Sequence, residues 1–182
     1  MSCTQTLSGI SRDCSANNGG VKRVVLFSSA YIDNVAFDDG EDPSVISDVN
    51  MKAGFPGVVE LQFRRGAAYL TSTEAVSAEN GSQYVQNELS MTFHRMDTAK
   101  RSAIAKLQFG EYAAIVDDMN GKRWYLGPVF GPTLNLSDEP LVMTGGDGLT
   151  GTEWGDRNGY TVVLTNRSEG MPWEYEEDYD PS

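Results

Sequence analysis

The amino-acid sequence predicts a mainly β protein, an antiparallel β-sandwich or barrel with one mid-chain helix and a long loop. Segments of strand length that alternate apolar and polar residues, or consist largely of β-branched residues, recur along the chain. Asn-Gly dipeptides, which favour tight hairpin turns, separate several of these segments. The 182 residues are 40% hydrophobic and 22% charged. A chain of this size can bury roughly 70% of its unfolded surface without disulfides or metals.

Composition divides the chain into an arm, a domain and a tail. Residues 1–20 are polar and rich in Gly, Asn and Ser, and we interpret them as an N-terminal arm. Residues 21–168 carry the strand patterns and form a single predicted β-rich domain. Residues 169–182 place six carboxylates among aromatic residues, which predicts an acidic C-terminal tail. The tail is either a solubilising disordered segment or an arm whose aromatic residues dock on a neighbouring copy.

The domain opens with a predicted strand at 21–27, a β-branched run that is followed by a long loop at 28–57. Turn signals such as Asp38-Asp39-Gly40 and Asp42-Pro43 interrupt the loop. Its apolar residues are too numerous for a disordered linker. We therefore expect the loop to pack on its own domain or on a neighbouring copy.

Three further strands are predicted before the helix. The segments 58–63 and 67–72 flank Arg65-Gly66 and suggest a hairpin. The segment 84–95 alternates most regularly, with Val85, Leu89, Met91 and Phe93 on one face. The opposite face is polar and faces either solvent or an aqueous channel.

One amphipathic helix is predicted at 97–109. Asp97 is a suitable N-cap, and Gly110 is a suitable C-terminal stop. The apolar residues recur at helical spacing, so the helix is expected to cover an end or a face of a sheet.

Hairpin signals dominate the chain after the helix. Strands at 112–116 and 123–126 flank Asn120-Gly121, where a type I′ turn is expected, and Asn158-Gly159 precedes a strand at 160–164. Between them, Gly127-Pro128, Gly131-Pro132 and the glycine-rich segment 145–148 predict bends around short strands near 134 and 141–143.

The residue types argue against catalysis, bound metals and cofactors. Cys3, Cys14 and His94 are too few and too dispersed for a zinc site. The two cysteines are expected to be reduced thiols, with a bridge between them as the alternative. His94 shares a face with Ser90, but no nucleophile motif surrounds that serine, and a solvated or interfacial histidine is expected.

Charge and hydropathy exclude further classes. The formal net charge of −12 disfavours binding to DNA phosphates by bulk charge. No apolar run is long enough for a membrane span, and residues 1–20 lack the apolar core of an export signal.

The order of these elements resembles the tail-tube fold of tailed bacteriophages and related injection systems. The segments DDMNGKRWYLGPVFG (117–131), GDRNGYTVVL (155–164) and CTQTLSGISRDCSANNGGVKRVV (3–25) resemble a group of virion proteins from phages and prophages of Bacteroidota. The resemblance implies a non-enzymatic β-sandwich subunit, made in the host bacterial cytoplasm, that forms six-fold rings in the virion. The rings stack into a tail tube, contact other virion proteins and let DNA pass through the lumen without specific binding during ejection. The acidic composition fits this function, because an acidic wall would repel phosphates.

The resemblance also implies that the 28–57 loop and both termini contact neighbouring subunits. Apolar side chains in these segments are the candidates, since burial against a partner would explain them. The candidate inter-subunit contacts are Tyr31, Val35, Phe37, Val45, Ile46, Phe55, Trp173, Tyr175 and Tyr179.

Two other functions remain open from the sequence. A head-tail connector, neck or tail-terminator protein would share the acidic β-rich character but stop at one ring. A carbohydrate-binding or adhesive β-sandwich would use aromatic side chains as a sugar-stacking platform, formed by Trp124, Tyr125, Trp154 and Trp173.

Overall fold

A computed structural model describes residues 17–38, 45–77, 79, 81–130, 136 and 138–176. These residues form two sheets and one α-helix, which confirms the mainly β class with a single helix. The elements are β1 (Val21–Ser28), β2 (Ile32–Phe37), β3 (Val45–Met51), β4 (Val59–Leu61), β5 (Ala68–Ser77), β6 (Ser82–His94), α1 (Thr98–Leu107), β7 (Tyr112–Asp118), β8 (Arg123–Leu126), β9 (Val142–Leu149), β10 (Gly159–Ser168) and β11 (Trp173–Tyr175).

The larger sheet, sheet A, has seven strands in the order β2-β3-β11-β8-β7-β1-β4. The smaller sheet, sheet B, has four strands in the order β5-β6-β10-β9. The two sheets share a core to which sheet A contributes Val24 and Leu26, and sheet B contributes Leu89 and Leu164. The alternation predicted in β6 is confirmed, because its apolar face is buried in this core.

A second core lies against sheet A and includes Phe27, Ile32, Ile46 and Ile115. β1 and β7 contribute to both cores, because successive residues of a strand point to opposite faces. This double burial explains why their sequences are continuous apolar runs rather than alternating ones. A strand with two apolar faces needs other elements packed on each face. β2 and β3 contribute part of the packing in the second core.

The prediction of a long loop at 28–57 is wrong. This segment contains a 3₁₀ turn at Ser29–Tyr31 and the antiparallel pair β2–β3. Register shifts at 32–34 and 36–37 mark irregularities in the pairing. A bulge adds a residue to one strand, and the buried residues Ile32 and Val35 are accordingly three positions apart. The period of two that identifies a strand is therefore absent from the sequence.

The predicted hairpin of 58–63 with 67–72 is also wrong. β4 pairs with β1 in sheet A, whereas β5 pairs with β6 in sheet B. The intervening turn, closed by the Ala67 N–H donating to the Arg64 carbonyl at 3.0 Å, carries the chain from one sheet to the other.

The helix is confirmed, although it ends at Leu107 rather than 109. The Asp97 carboxylate accepts a hydrogen bond from the Lys100 backbone N–H at 2.8 Å and thereby caps the first turn. Only Ile104 and Leu107 of this helix contact the shared core, and both remain partly exposed.

The β7–β8 hairpin is confirmed, but its turn differs from the type I′ turn expected. Gly121 has φ +83°, whereas Arg95 is the only non-glycine residue with positive φ in the described ranges. The Asp118 carboxylate shapes the turn by accepting the backbone N–H groups of Asn120 and Lys122 at 2.8 and 2.9 Å. The end of the N-terminal arm docks here, since the Asn18 N–H donates to Asn120 Oδ1 at 2.8 Å. The remainder of the arm, with both cysteines, lies outside the described residues.

The glycine-rich segment predicted as bends lies within strand β9. β9 pairs with β10 through backbone groups, which glycine supplies as well as any other residue. Gly159, at the start of β10, fits closely against β6, because a Cβ atom there would lie 2.1 Å from the Phe93 carbonyl oxygen. The short strand expected near 134 falls outside the described residues, and Leu141 forms an isolated bridge with Tyr112.

The tail does not begin at 169 as a separate segment. β11 inserts into sheet A between β3, with which it is parallel, and β8, with which it is antiparallel. Tyr175 is only 2% exposed, and Glu174 forms an ion pair with Lys122. A three-residue strand is too short to show a period of two, and the acidic residues around it indicate a tail rather than a strand. Residues 177–182, including Tyr179, lie outside the described part of the chain.

Candidate assembly surfaces

Three of the predicted inter-subunit contacts are buried within this chain. Val35, Ile46 and Tyr175 are 2% exposed or less and pack in the second core. Their apolar character is therefore explained by the chain's own fold, and they are not accessible to another subunit in this structure. This corrects their assignment as contact residues.

The other described candidates are partly buried around the same core. The rings of Phe37 and Trp173 meet edge to face at 5.1 Å, and the rings of Tyr31 and Phe55 lie 6.2 Å apart. Val45 pairs with Glu174 of β11. These side chains mainly pack β2, β3 and β11 against the rest of sheet A. Only the exposed parts of the side chains could contact a neighbouring subunit.

Sheet B has two edge strands, β5 and β9, each paired on one side only within the described residues. Edge strands in soluble proteins usually carry lysine, proline or inward-pointing charges that prevent pairing with another chain. Neither β5 nor β9 contains lysine or proline, and each contains a single carboxylate, Glu74 and Asp147 respectively. Both edges are therefore open to another strand.

The outer face of sheet B is mostly polar and rich in hydroxyl groups, although Val142 and Leu149 of β9 are apolar and exposed on it. Thr92 Oγ1 and Thr161 Oγ1 lie 3.5 Å apart on it, and the Tyr69 hydroxyl donates to Glu88 Oε1 at 3.4 Å. By strand alternation and pairing, this outer face includes Tyr69, Thr71, Thr73, Ala75, Tyr84, Gln86, Glu88, Ser90, Thr92, His94, Val142, Gly145, Asp147, Leu149, Thr161, Val163, Thr165 and Arg167.

Charges on the outer face are balanced rather than acidic. Arg157, from the β9–β10 turn, donates to Asp147 Oδ2 at 2.8 Å and to Thr161 Oγ1 at 2.6 Å. The hydrogen bond with Thr161, followed by the nearby Arg157 charge, lowers the pKa of Asp147. Arg167 lies 3.8 Å from a Glu139 carboxylate oxygen. The face thus offers neither an excess of cations nor the acidic wall that the composition suggested.

Sequence reasoning singled out the polar face of β6 but missed the rest of the outer face. The alternating threonines of β5 and β10 were its signal, at 71 and 73 and at 161 and 165. Alternation identifies a strand without identifying its neighbours, so it does not reveal that these strands share one face.

A buried polar cluster lies at the opposite end of sheet B from the β9–β10 turn. The Asn87 side-chain amide donates to Asn166 Oδ1 at 3.1 Å and to Ser168 Oγ at 2.9 Å. Asp138, 7% exposed, accepts the Glu169 backbone N–H at 2.8 Å. Burial raises the pKa of Asp138, and the hydrogen bonds from Glu169 and the Trp173 side chain oppose part of this rise.

The proposed sugar-stacking platform is not assembled. Tyr125 is 1% exposed in the second core, while Trp124 packs against the shared core. Trp173 packs around the second core, and Trp154 projects from the β9–β10 turn. The four side chains therefore do not share one surface, and this arrangement argues against the carbohydrate-binding alternative.

An apolar cleft of about 300 Å³ lies between β1, β4 and α1. Val59 of β4 is 58% exposed beside it. Within the described ranges, no group of three or more His, Cys, Asp or Glu side chains is placed to hold a metal ion. Nor is any described helix long and apolar enough to cross a membrane.

Comparisons with protein-family models, curated proteins and solved structures found no match to this chain. The assignment of a function therefore depends on the residues and surfaces described above.

Proposed function

We propose that this protein is a non-enzymatic virion structural protein, a tail-tube subunit whose rings stack around a DNA-conducting lumen. The observation that carries the proposal is sheet B, which has two unprotected edges and a polar outer face. The sequence resemblance to tail-tube proteins supports the same function independently of that geometry.

The two edges are suited to joining copies in a ring. Adjacent strands of sheet B are antiparallel, so β5 and β9, separated by three reversals, run in opposite directions. The β9 strand of a rotated copy can therefore pair antiparallel with β5, which continues the alternation from copy to copy. Because different surfaces meet, the contact is heterologous and generates a closed ring when the rotation closes.

The size of such a ring is compatible with a DNA passage. Six copies, the number that the resemblance implies, supply twenty-four strands to one continuous barrel. With strands spaced about 4.8 Å apart and tilted by about 40°, the barrel measures roughly 45–50 Å between opposite backbones. The outer face of sheet B then lines the lumen, and the rest of the sandwich forms the outer wall.

The chemistry of the outer face suits passage rather than binding. Retention of DNA requires unpaired cations that neutralise phosphates. The two arginines on this face each lie beside a carboxylate, Arg157 with Asp147 and Arg167 with Glu139. About half of the remaining residues on this face carry hydroxyl groups, and none of them is a cation, so a duplex would meet a wall without strong sites of attachment.

The role of the edges is tested by placing a charge on β5. Val76, 67% exposed, should accept lysine without loss of the monomer fold, whereas an ammonium at a sheet edge opposes pairing with another strand. In sedimentation velocity across a concentration series, we expect rings for the wild type and a 19.9 kDa monomer for Val76→Lys.

Met171→Lys is the matched control, because Met171 is 54% exposed and lies outside sheet B. Its assembly should equal that of the wild type. Rings of undiminished stability in Val76→Lys would show that β5 is not the joining edge. A wild type that stays monomeric at every concentration would overturn the proposal as a whole.

A further inference from the structure

Trp154 is an aromatic residue whose side chain is fully exposed. Its relative exposure is 108%, so the indole ring is surrounded by solvent on the β9–β10 turn. Exposed tryptophan is uncommon on soluble domains, and tryptophan is enriched among the residues that dominate protein interfaces. Its position therefore suggests a contact made outside this chain.

The turn that carries Trp154 is held in place by Asp156. The Asp156 Oδ2 atom accepts the backbone N–H groups of Thr152 and Glu153 at 2.7 and 2.9 Å and the Thr152 hydroxyl at 2.9 Å. These hydrogen bonds lower the pKa of Asp156. A turn ordered in advance loses little conformational freedom when its tip binds a partner.

The apolar cleft between β1, β4 and α1 is a receptor of suitable size. Its volume of about 300 Å³ lies at the lower end of the range for sites that hold small ligands. Its apolar lining includes Leu26, Val59, Leu61, Ala103, Leu107 and Tyr112.

Charge favours the Trp154 turn as the occupant of this cleft. Lys106 lies in the cleft lining, and Arg101 is exposed on the same helix. Glu153 precedes Trp154 and is exposed on the turn. An inserted indole would thus bring a carboxylate toward a cation at the rim. Trp154 is fully exposed, so it does not enter the cleft of its own chain, and a second copy can supply it.

The topology of sheet B places the two features near each other across a joined edge. The β9–β10 turn lies at the end of sheet B where β6 finishes, since Gly159 faces both His94 and Leu149. β5 begins at this same end, and residues 62–67 connect it to β4, which lines the cleft. When one copy pairs its β9 with the β5 of the next copy, its β9–β10 turn therefore comes to lie at the start of that β5. This end of β5 is the one connected to β4.

We infer that Trp154 of one copy inserts into the β1–β4–α1 cleft of the next copy and locks neighbouring subunits together. The inference rests on the self-assembly proposed above and adds a specific contact to it. Because the inserted side chain and the cleft are different surfaces, each copy would both give and receive one tryptophan, as a ring requires.

Two variants remove the two halves of this contact separately. Trp154→Ala removes the inserted side chain, and Ala103→Glu places a carboxylate in the cleft, where it would repel Glu153. Both positions are exposed, so the monomer fold should persist. We expect each variant to raise the concentration at which rings form by about tenfold or more. The controls are Phe109→Ala, a loss of another exposed aromatic residue, and Ala105→Glu, the same charge outside the cleft lining.

Mixing the two variants provides the decisive measurement. The Ala103→Glu copy retains its tryptophan and the Trp154→Ala copy retains its cleft, so sedimentation velocity of the mixture should show pairs that neither variant forms alone. Rings of wild-type stability in either variant, or a mixture without pairs, would overturn the inference. The first result would leave the proposed ring intact, whereas a monomeric wild type would overturn both proposals.

Discussion

At the scale of single residues, the buried carboxylate of Asp138 makes stability depend on pH. Burial raises its pKa above the ordinary value of 3.8, so the folded state holds this proton more tightly than the unfolded chain does. A raised carboxyl pKa stabilises the fold only while the group is protonated. Its contribution therefore becomes less favourable as pH rises from the unfolded pKa through the folded one.

We predict that Asp138→Asn removes this pH dependence. Relative to the wild type, the variant's free energy of unfolding should increase as pH rises above the ordinary carboxyl pKa of 3.8, because only the wild type loses stability there. Urea unfolding at several pH values measures the difference. Glu139→Gln, at an exposed neighbouring position, is the control. A difference between wild type and Asp138→Asn that stays constant with pH would show that Asp138 is not destabilised by burial.

At the scale of elements, α1 depends on its cap because it contributes little to the core. Its first turn is closed by Asp97, and the Lys100 side chain and backbone, which both donate to the carboxylate, lower the pKa of Asp97. The stabilisation from a lowered carboxyl pKa is present above pH 3.8 and is lost as pH falls through the folded pKa.

We predict that Asp97→Ala destabilises the helix, because the cap of its first turn is lost. Amide hydrogen exchange of the helix should accelerate about fivefold. Asp97→Ser retains an oxygen acceptor and should exchange nearly as slowly as the wild type. Equal exchange in Ala and Ser variants would show that the cap does not hold the helix.

The elements differ in how far the sequence reveals them. β6 and the helix follow their hydrophobic periods closely, and β1 and β7 appear as continuous apolar runs because both of their faces are buried. Irregular pairing disrupts the period of two in β2 and β3. The glycines of β9 leave few side chains that could form an apolar–polar pattern, and β11 is too short to show one. The assembly surfaces are even harder to predict from the sequence, because the position of an open sheet edge depends on which strands become neighbours.

At the scale of the whole molecule, the ring that we propose would place the outer face of sheet B around the lumen. Glu88 lies on that face, so Glu88→Lys would replace six carboxylates with six ammonium groups in a six-copy ring. We predict that these rings retain duplex DNA in a salt-dependent manner, whereas wild-type rings do not. An electrophoretic mobility shift at low and moderate salt measures the retention.

Glu111→Lys makes the same charge change on the loop before β7 and is the matched control. It should retain much less DNA if the lumen is lined by sheet B. Equal retention by the two variants would show that net charge alone determines the effect, and that Glu88 does not face the passage.

The central claim is that copies of this chain join through sheet B into rings that stack. Negative-stain electron microscopy of the purified protein across a concentration series tests it most directly. We predict rings with an open lumen at low concentration and stacked tubes at high concentration. Discrete rings that never stack would favour a connector or terminator role. A protein that forms no ring at any concentration would contradict the account.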